Sequence, residues 1–117
     1  MKIQPIQFFQ LLSDETRLRC LMLMQQQGEL CVCELTHALG LIQPKISRHL
    51  ATLRDAGVVV DRRQGQWIYY QINAELPAWA RRVIETTAEE VMTSSPHKDD
   101  LAALLNMPNR PGAACCA

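Results

Sequence analysis

No run in this chain approaches the roughly 20 consecutive apolar residues that a bilayer-spanning helix needs. The N-terminus lacks the charged-then-apolar pattern of a signal peptide, so a cytoplasmic protein is expected. Net charge is missing too: 12 basic residues meet 12 acidic ones, which argues against a sequence-blind nucleic-acid coat. There is no internal repeat and no interdomain linker. There is also no phosphate-cradling glycine-rich loop, nucleophile elbow, zinc-hydrolase signature or C-x-x-C redox pair. An enzyme such as a thiol oxidoreductase is therefore not expected, and no catalytic cofactor is called for.

What is present fits one small domain. The chain has 117 residues, 48% of them apolar, enough for a core. A chain this short buries a limited share of its surface, so dimerisation would help. The balanced charge is unevenly spread. Lys45, Arg48, Arg54, Arg62 and Arg63 crowd the middle against only Asp55 and Asp61, while Glu85, Glu89, Glu90, Asp99 and Asp100 weight the C-terminal part. The five cysteines, at 20, 31, 33, 115 and 116, are odd in number and do not suggest a disulfide framework.

Periodicity and punctuation divide the chain. Pro5 suits the first position of a short helix carrying Ile6, Phe8, Phe9 and Leu12. Ser13 is the expected N-cap of a second helix, with Asp14 and Glu15 in its first turn and Leu18, Leu21 and Met22 at helical spacing. Gly28 stops it. A third, short helix places Val32, Leu35 and Leu39 on one face and ends at Gly40. Pro44 then opens a helix whose inward stripe is Ile46, Leu50 and Leu53, closed by Gly57. Two short helices joined by a tight turn follow the helix-turn-helix plan.

After Gly57 the period becomes two. Val58-Val59-Val60 and Ile68, Tyr70 and Ile72 predict two strands around a Gln64-Gly65 turn, a hairpin placed as a wing. A longer helix follows, with Leu76, Trp79, Ala80, Val83, Ile84, Ala88 and Val91 as its stripe, and Pro96 ends it. Leu101 to Leu105 suggest a further turn or two. From Asn109 a mobile tail is expected. The expected fold is mainly α with a β-hairpin, a winged helix-turn-helix, with residues 1–95 as the DNA-binding and dimerisation domain and 96–117 as a C-terminal segment and tail.

On the Pro44 helix, the face opposite the inward stripe carries Lys45, Arg48, Ala51 and Thr52, with Ser47 on its flank and Gln43 at the leading end. Arg pairs bidentately with guanine, and Ser and Lys suit phosphates or base edges. Arg62, Arg63 and Gln66 flank the hairpin turn, within reach of phosphates or the minor groove. His49 lies beside the inward stripe, as a packing or phosphate-contacting residue rather than a metal ligand. The expected partner is double-stranded operator DNA.

Cys31-Val32-Cys33 opens the helix just before this unit. Thiolates favour soft ions, and by the same logic trivalent arsenic and antimony. A helix N-terminus favours the thiolate, so these two thiols are expected to ionise more readily than Cys20, which sits inside a helix as a small apolar residue. Residues i and i+2 do not face each other on a regular helix. One ion holding both sulfurs is therefore expected to distort the first turn, opposing DNA binding through a reciprocal coupling. Cys115-Cys116 is a second pair: a source of a third ligand, a separate weak site, or an oxidation-prone end.

With these residues in hand, the chain resembles the arsenic-responsive (ArsR/SmtB) family of winged-helix repressors. Glu29-Leu30-Cys31-Val32-Cys33-Glu34-Leu35 is similar to its arsenic-site motif, Gln43-Pro44-Lys45-Ile46-Ser47-Arg48-His49-Leu50 to its recognition-helix signature, and Ser13-Asp14-Glu15-Thr16-Arg17-Leu18-Arg19 to its early helix. The resemblance implies a homodimeric repressor that leaves operator DNA when As(III) or Sb(III) binds. It also implies a dimer interface on the first and last helices, matching stripes of Phe8, Phe9, Leu12, Trp79, Val83 and Ile84 expected to be exposed. Some members carry a third cysteine where this chain has Thr36. Either Cys31 and Cys33 suffice, with a small exogenous ligand completing the site, or Cys115 or Cys116 folds over. Only His97 lies near the last helix, which speaks against a zinc site there. A redox-sensing regulator using the same thiols is the alternative.

Overall fold

The computed structural model describes residues 2–110. The elements run α1 (Pro5–Leu12), α2 (Glu15–Gln27), β1 (Leu30–Cys31), α3 (Val32–Leu39), α4 (Gln43–Asp55), β2 (Val59–Gln64), β3 (Trp67–Ile72), α5 (Ala78–Val91) and α6 (His97–Leu105). Pro5 occupies the first turn of α1, where its missing N–H costs nothing. The N-cap of α2 is Asp14 rather than Ser13: its carboxylate accepts from the Arg17 N–H at 3.0 Å. Ser13 instead closes α1, its hydroxyl donating to the Gln10 carbonyl at 2.8 Å. The two helices abut, so each terminus takes one of the adjacent capping residues. Gly40 ends α3 in the left-handed region, φ 68°, with its N–H donating to the Thr36 carbonyl at 3.0 Å.

The helix-turn-helix is α3 and α4. Ile46, Leu50 and Leu53 are fully buried, which turns the opposite face of α4 outward. They join Leu21, Met22, Leu23, Leu35 and Val58 in one core. Ala80, Ile84 and Ala88 of α5 are buried in that core as well. The stripe expected from periodicity is therefore the packed face of each of these helices.

The hairpin pairs β2 with β3 from Val59↔Ile72 to Gln64↔Trp67. Its turn uses Gly65 at φ 61°. The sheet has a third strand that periodicity does not show. Leu30 pairs with Tyr70 and Cys31 with Tyr69, giving the antiparallel order β1-β3-β2. Two residues carry no detectable alternation, so only the tertiary pairing makes β1 a strand.

The segment after residue 95 contains α6, which packs on α2 and α3 with Leu104 fully buried. The Arg19 guanidinium donates to both oxygens of Asp100 at 2.8 and 2.7 Å. Through Leu105 the C-terminal segment thus shares the core of the preceding residues.

Candidate thiol site and nucleic-acid interface

Cys31 is the N-cap of α3, and its backbone is extended (φ −76°, ψ 151°). That extended residue is also the end of β1, so the chain leaves the sheet and enters the helix at the cysteine. Glu34 supports the junction: its Oε1 accepts from the Cys31 N–H at 2.8 Å. With residue 31 outside the helix, the two side chains converge, and Cys33 Sγ lies 2.9 Å from Cys31 Sγ. The expectation that alternate cysteines need an unwound turn is therefore corrected. It treated both as helical, and only Cys33 is.

The expected ease of ionisation is corrected for Cys33. Burial pushes its thiol up to about 12, reinforced by the Cys31 contact and the nearby Glu34 carboxylate. Desolvation outweighs the half-helix dipole here. Burial pushes Cys20 up to about 12 as well, so the helix start gives Cys33 no advantage over it.

Glu34 is 1% exposed, and its second oxygen accepts from Arg110 Nε in a buried ion pair. Arg110 also donates to Gln27 Oε1 at 3.2 Å. The C-terminal segment is thereby fastened beside the thiol pair. Neither Glu34 nor Arg110 stood out in the sequence. The motif S/T-x-x-E signals a capping box, and a cysteine at its first position hides it. Cys115 and Cys116 lie outside the described residues. Among the described residues no cluster of three or more His, Cys, Asp or Glu could hold a metal ion, so two sulfurs are the soft donors in view.

A recess of about 690 Å³ opens beside the thiols. Cys31, Val32 and Cys33 form one wall, Gln43, Ser47 and Ala51 of α4 a second, and Gln66, Trp67 and Ile68 of the hairpin a third. The thiol pair and the outward face of α4 thus share one concavity.

Along that face Gln43 and Arg48 are exposed and Lys45 and Ser47 half-buried. Arg63 and Gln66 are exposed at the hairpin. Two residues expected at the DNA surface are engaged elsewhere. Arg62 pairs with Glu29 at 2.7 and 2.6 Å and lies 4.7 Å above the Tyr69 ring. His49 accepts at Nδ1 from Arg17 at 3.3 Å, and burial, with the cations of Arg17, Arg48 and Lys45, lowers its pKa despite Asp14. It is a neutral packing residue beneath the face.

The chain matches the family described as bacterial regulatory protein, arsR family, over residues 14–60. It is 49% identical to the arsenic resistance transcriptional regulator ArsR2 of Pseudomonas putida, covering 97% of this chain and 99% of the relative. The chain belongs to the arsR family. It is also 53% identical to the arsenical resistance operon repressor of Escherichia coli, over 69% of each chain. Among solved structures it resembles HlyU of Vibrio cholerae (TM-score 0.66, 29% identity, 74% of this chain and 89% of the other). It also resembles the AntR antimony-specific transcriptional repressor (TM-score 0.62, 29% identity, 76% and 80%). The winged helix-turn-helix of this arsR-family protein is the fold of a transcriptional regulator.

The stripes expected to face a second subunit need correction. Phe8, Leu12 and Ile84 are buried within the one chain, because α1 folds its inner face onto the core. Phe9 is 50% and Ile6 72% exposed, while Trp79 and Val83 are half-buried. Phe8, Phe9 and Trp79 form one aromatic group, with Trp79 edge-on to Phe8 at 5.2 Å. Ile6 was overlooked as an interface residue. No helix among the described residues is long and apolar enough to cross a membrane.

Proposed function

We propose that this protein is a dimeric repressor that binds operator DNA through α4 and the hairpin, and that As(III) or Sb(III) captured by Cys31 and Cys33 releases it. The supporting observation is the thiol pair, sulfurs 2.9 Å apart, on the wall of a recess whose other walls are α4 and the wing. Gln43, Lys45, Ser47, Arg48, Arg63 and Gln66 are the DNA-contacting residues in this reading. Ile6, Phe9, Trp79 and Val83 form the apolar face of the dimer, on α1 and α5.

Capture needs no unwinding to bring the sulfurs together, so the coupling runs through what Cys31 joins. Its backbone pairs with Tyr69 of the wing, and its N–H is capped by Glu34 at the start of α3. A centre bridging the sulfurs pulls on the wing strand and on the helix preceding α4 together. Two sulfurs bound at about 2.3 Å to a tetrahedral ion sit roughly 3.8 Å apart. The thiols must therefore spread by just under an ångström, and the junction moves with them. The linkage is reciprocal: operator-bound protein captures metalloid less tightly by the same factor.

A third sulfur from Cys115 or Cys116 suits this arrangement. Arg110 is ion-paired to Glu34, the residue after Cys33. Five extended residues span up to roughly 17 Å, ample to return to the pair.

The experiment is an arsenite titration of the operator-bound protein followed by fluorescence anisotropy. Wild type is expected to dissociate, and the Cys31→Ser/Cys33→Ser variant to stay bound. Equal release by both would refute the proposal. The close sulfurs also admit a disulfide switch. Peroxide-driven release together with indifference to arsenite under anaerobic conditions selects that alternative.

A further inference from the structure

The described site offers two sulfurs to an element of valence three, beside a recess with apolar walls. Val32, Ala51, Trp67 and Ile68 supply those walls, and the Trp67 ring is 37% exposed. We propose that the site takes monosubstituted organic arsenicals, R–As(III), with arsenic on Cys31 and Cys33 and the carbon substituent in the recess against Trp67 and Ile68. The proposal rests on the reading of the thiol pair as the metalloid site.

The chemistry balances without an oxidant. An organic arsenous acid, R–As(OH)2, meets two neutral thiols. Two As–S bonds form, two As–O bonds break, and each thiol proton leaves with a hydroxide as water. Arsenic stays trivalent and keeps its As–C bond. The inorganic acid, As(OH)3, reacts in the same way but retains one hydroxyl. On two sulfurs that hydroxyl points into the recess, where a polar group without a partner is penalised. A carbon substituent carries no such penalty and gains from burying its surface. Space is ample: a cavity of about 150 Å³ holds benzene, and this recess is about 690 Å³. An aromatic substituent also meets the indole of Trp67 at close range.

Phenylarsine oxide and arsenite are the probes, with affinities measured by competition against a small dithiol. Phenylarsine oxide binds many dithiols, so the decisive quantity is the ratio of its affinity to that of arsenite. Trp67→Ala and Ile68→Ala are expected to lower this ratio, about fivefold for Trp67→Ala, while arsenite affinity stays within about twofold. An unchanged ratio in both variants overturns the proposal, because the ring then lies outside the recess. Loss of phenylarsine oxide binding in Cys115→Ser/Cys116→Ser, with arsenite still held by Cys31 and Cys33, overturns it too. Arsenite binding that survives Cys31→Ser/Cys33→Ser instead sinks the underlying reading. Circular dichroism confirms that each variant is folded.

Discussion

Cys33 keeps its proton at neutral pH because burial lifts its thiol to about 12, and this bears on what the site selects. A divalent cation binds thiolate, so it must expel that proton into solution. Arsenous acid carries its own base: the displaced hydroxide leaves with the thiol proton as water, and no proton is released. Arsenite affinity is therefore expected to change little between about pH 6 and 8. Cadmium affinity should rise roughly tenfold per pH unit for each thiol proton lost. Competition titrations at three pH values check this, and parallel slopes for both would contradict it. At the opposite wall of the recess, Arg48→Ala is expected to weaken operator binding by about 1–3 kcal/mol if the guanidinium reads a base. Unchanged anisotropy titrations would remove Arg48 from the contact surface. Single residues were legible where chemistry is intrinsic, as with the soft sulfurs or the guanidinium. They were not legible where burial reverses the intrinsic tendency, as for Cys33 and the engaged His49.

Among the elements, α6 shows how a short helix earns its place through one buried ion pair. Asp100 is almost fully covered and takes both Arg19 donors. Arg19→Ala leaves that carboxylate buried and unpaired, so a loss of about 3 kcal/mol is expected in urea denaturation. A loss below about 0.5 kcal/mol would show that α6 is held by its apolar face alone. His97, at the start of the same helix, is buried with Nδ1 unpartnered, and burial lowers its pKa below the usual 6.5. The folded state then binds fewer protons than the unfolded one. Its contribution is present above about pH 6.5 and is lost as pH falls through the lower folded value. A His97→Asn variant is expected to flatten that acid limb in thermal melts, and an unaltered limb would assign it to other groups. Sequence periodicity found α2 to α5, because each repeats its apolar face over several turns. It missed β1, whose two residues repeat nothing.

For the whole molecule, the main open surface is the apolar ridge of Ile6 and Phe9 beside Trp79. Ile6→Asp/Phe9→Asp is expected to yield monomers by light scattering while leaving the melt nearly unchanged, since both side chains lie outside the core. Persistent dimers would move the interface elsewhere. Trp79→Asp is the poorer test, because Trp79 also packs on buried Phe8. The sequence by itself determined the helix-turn-helix, the hairpin and the inward stripes, because local period, caps and left-handed glycines act over a few residues. Tertiary structure alone decided that Cys31 is both strand end and helix cap, and that Arg62 turns to Glu29. It also decided that Arg110 closes on Glu34, 76 residues away in the chain. Those pairings form only once a shared core has brought distant segments together, and burial then sets their strength.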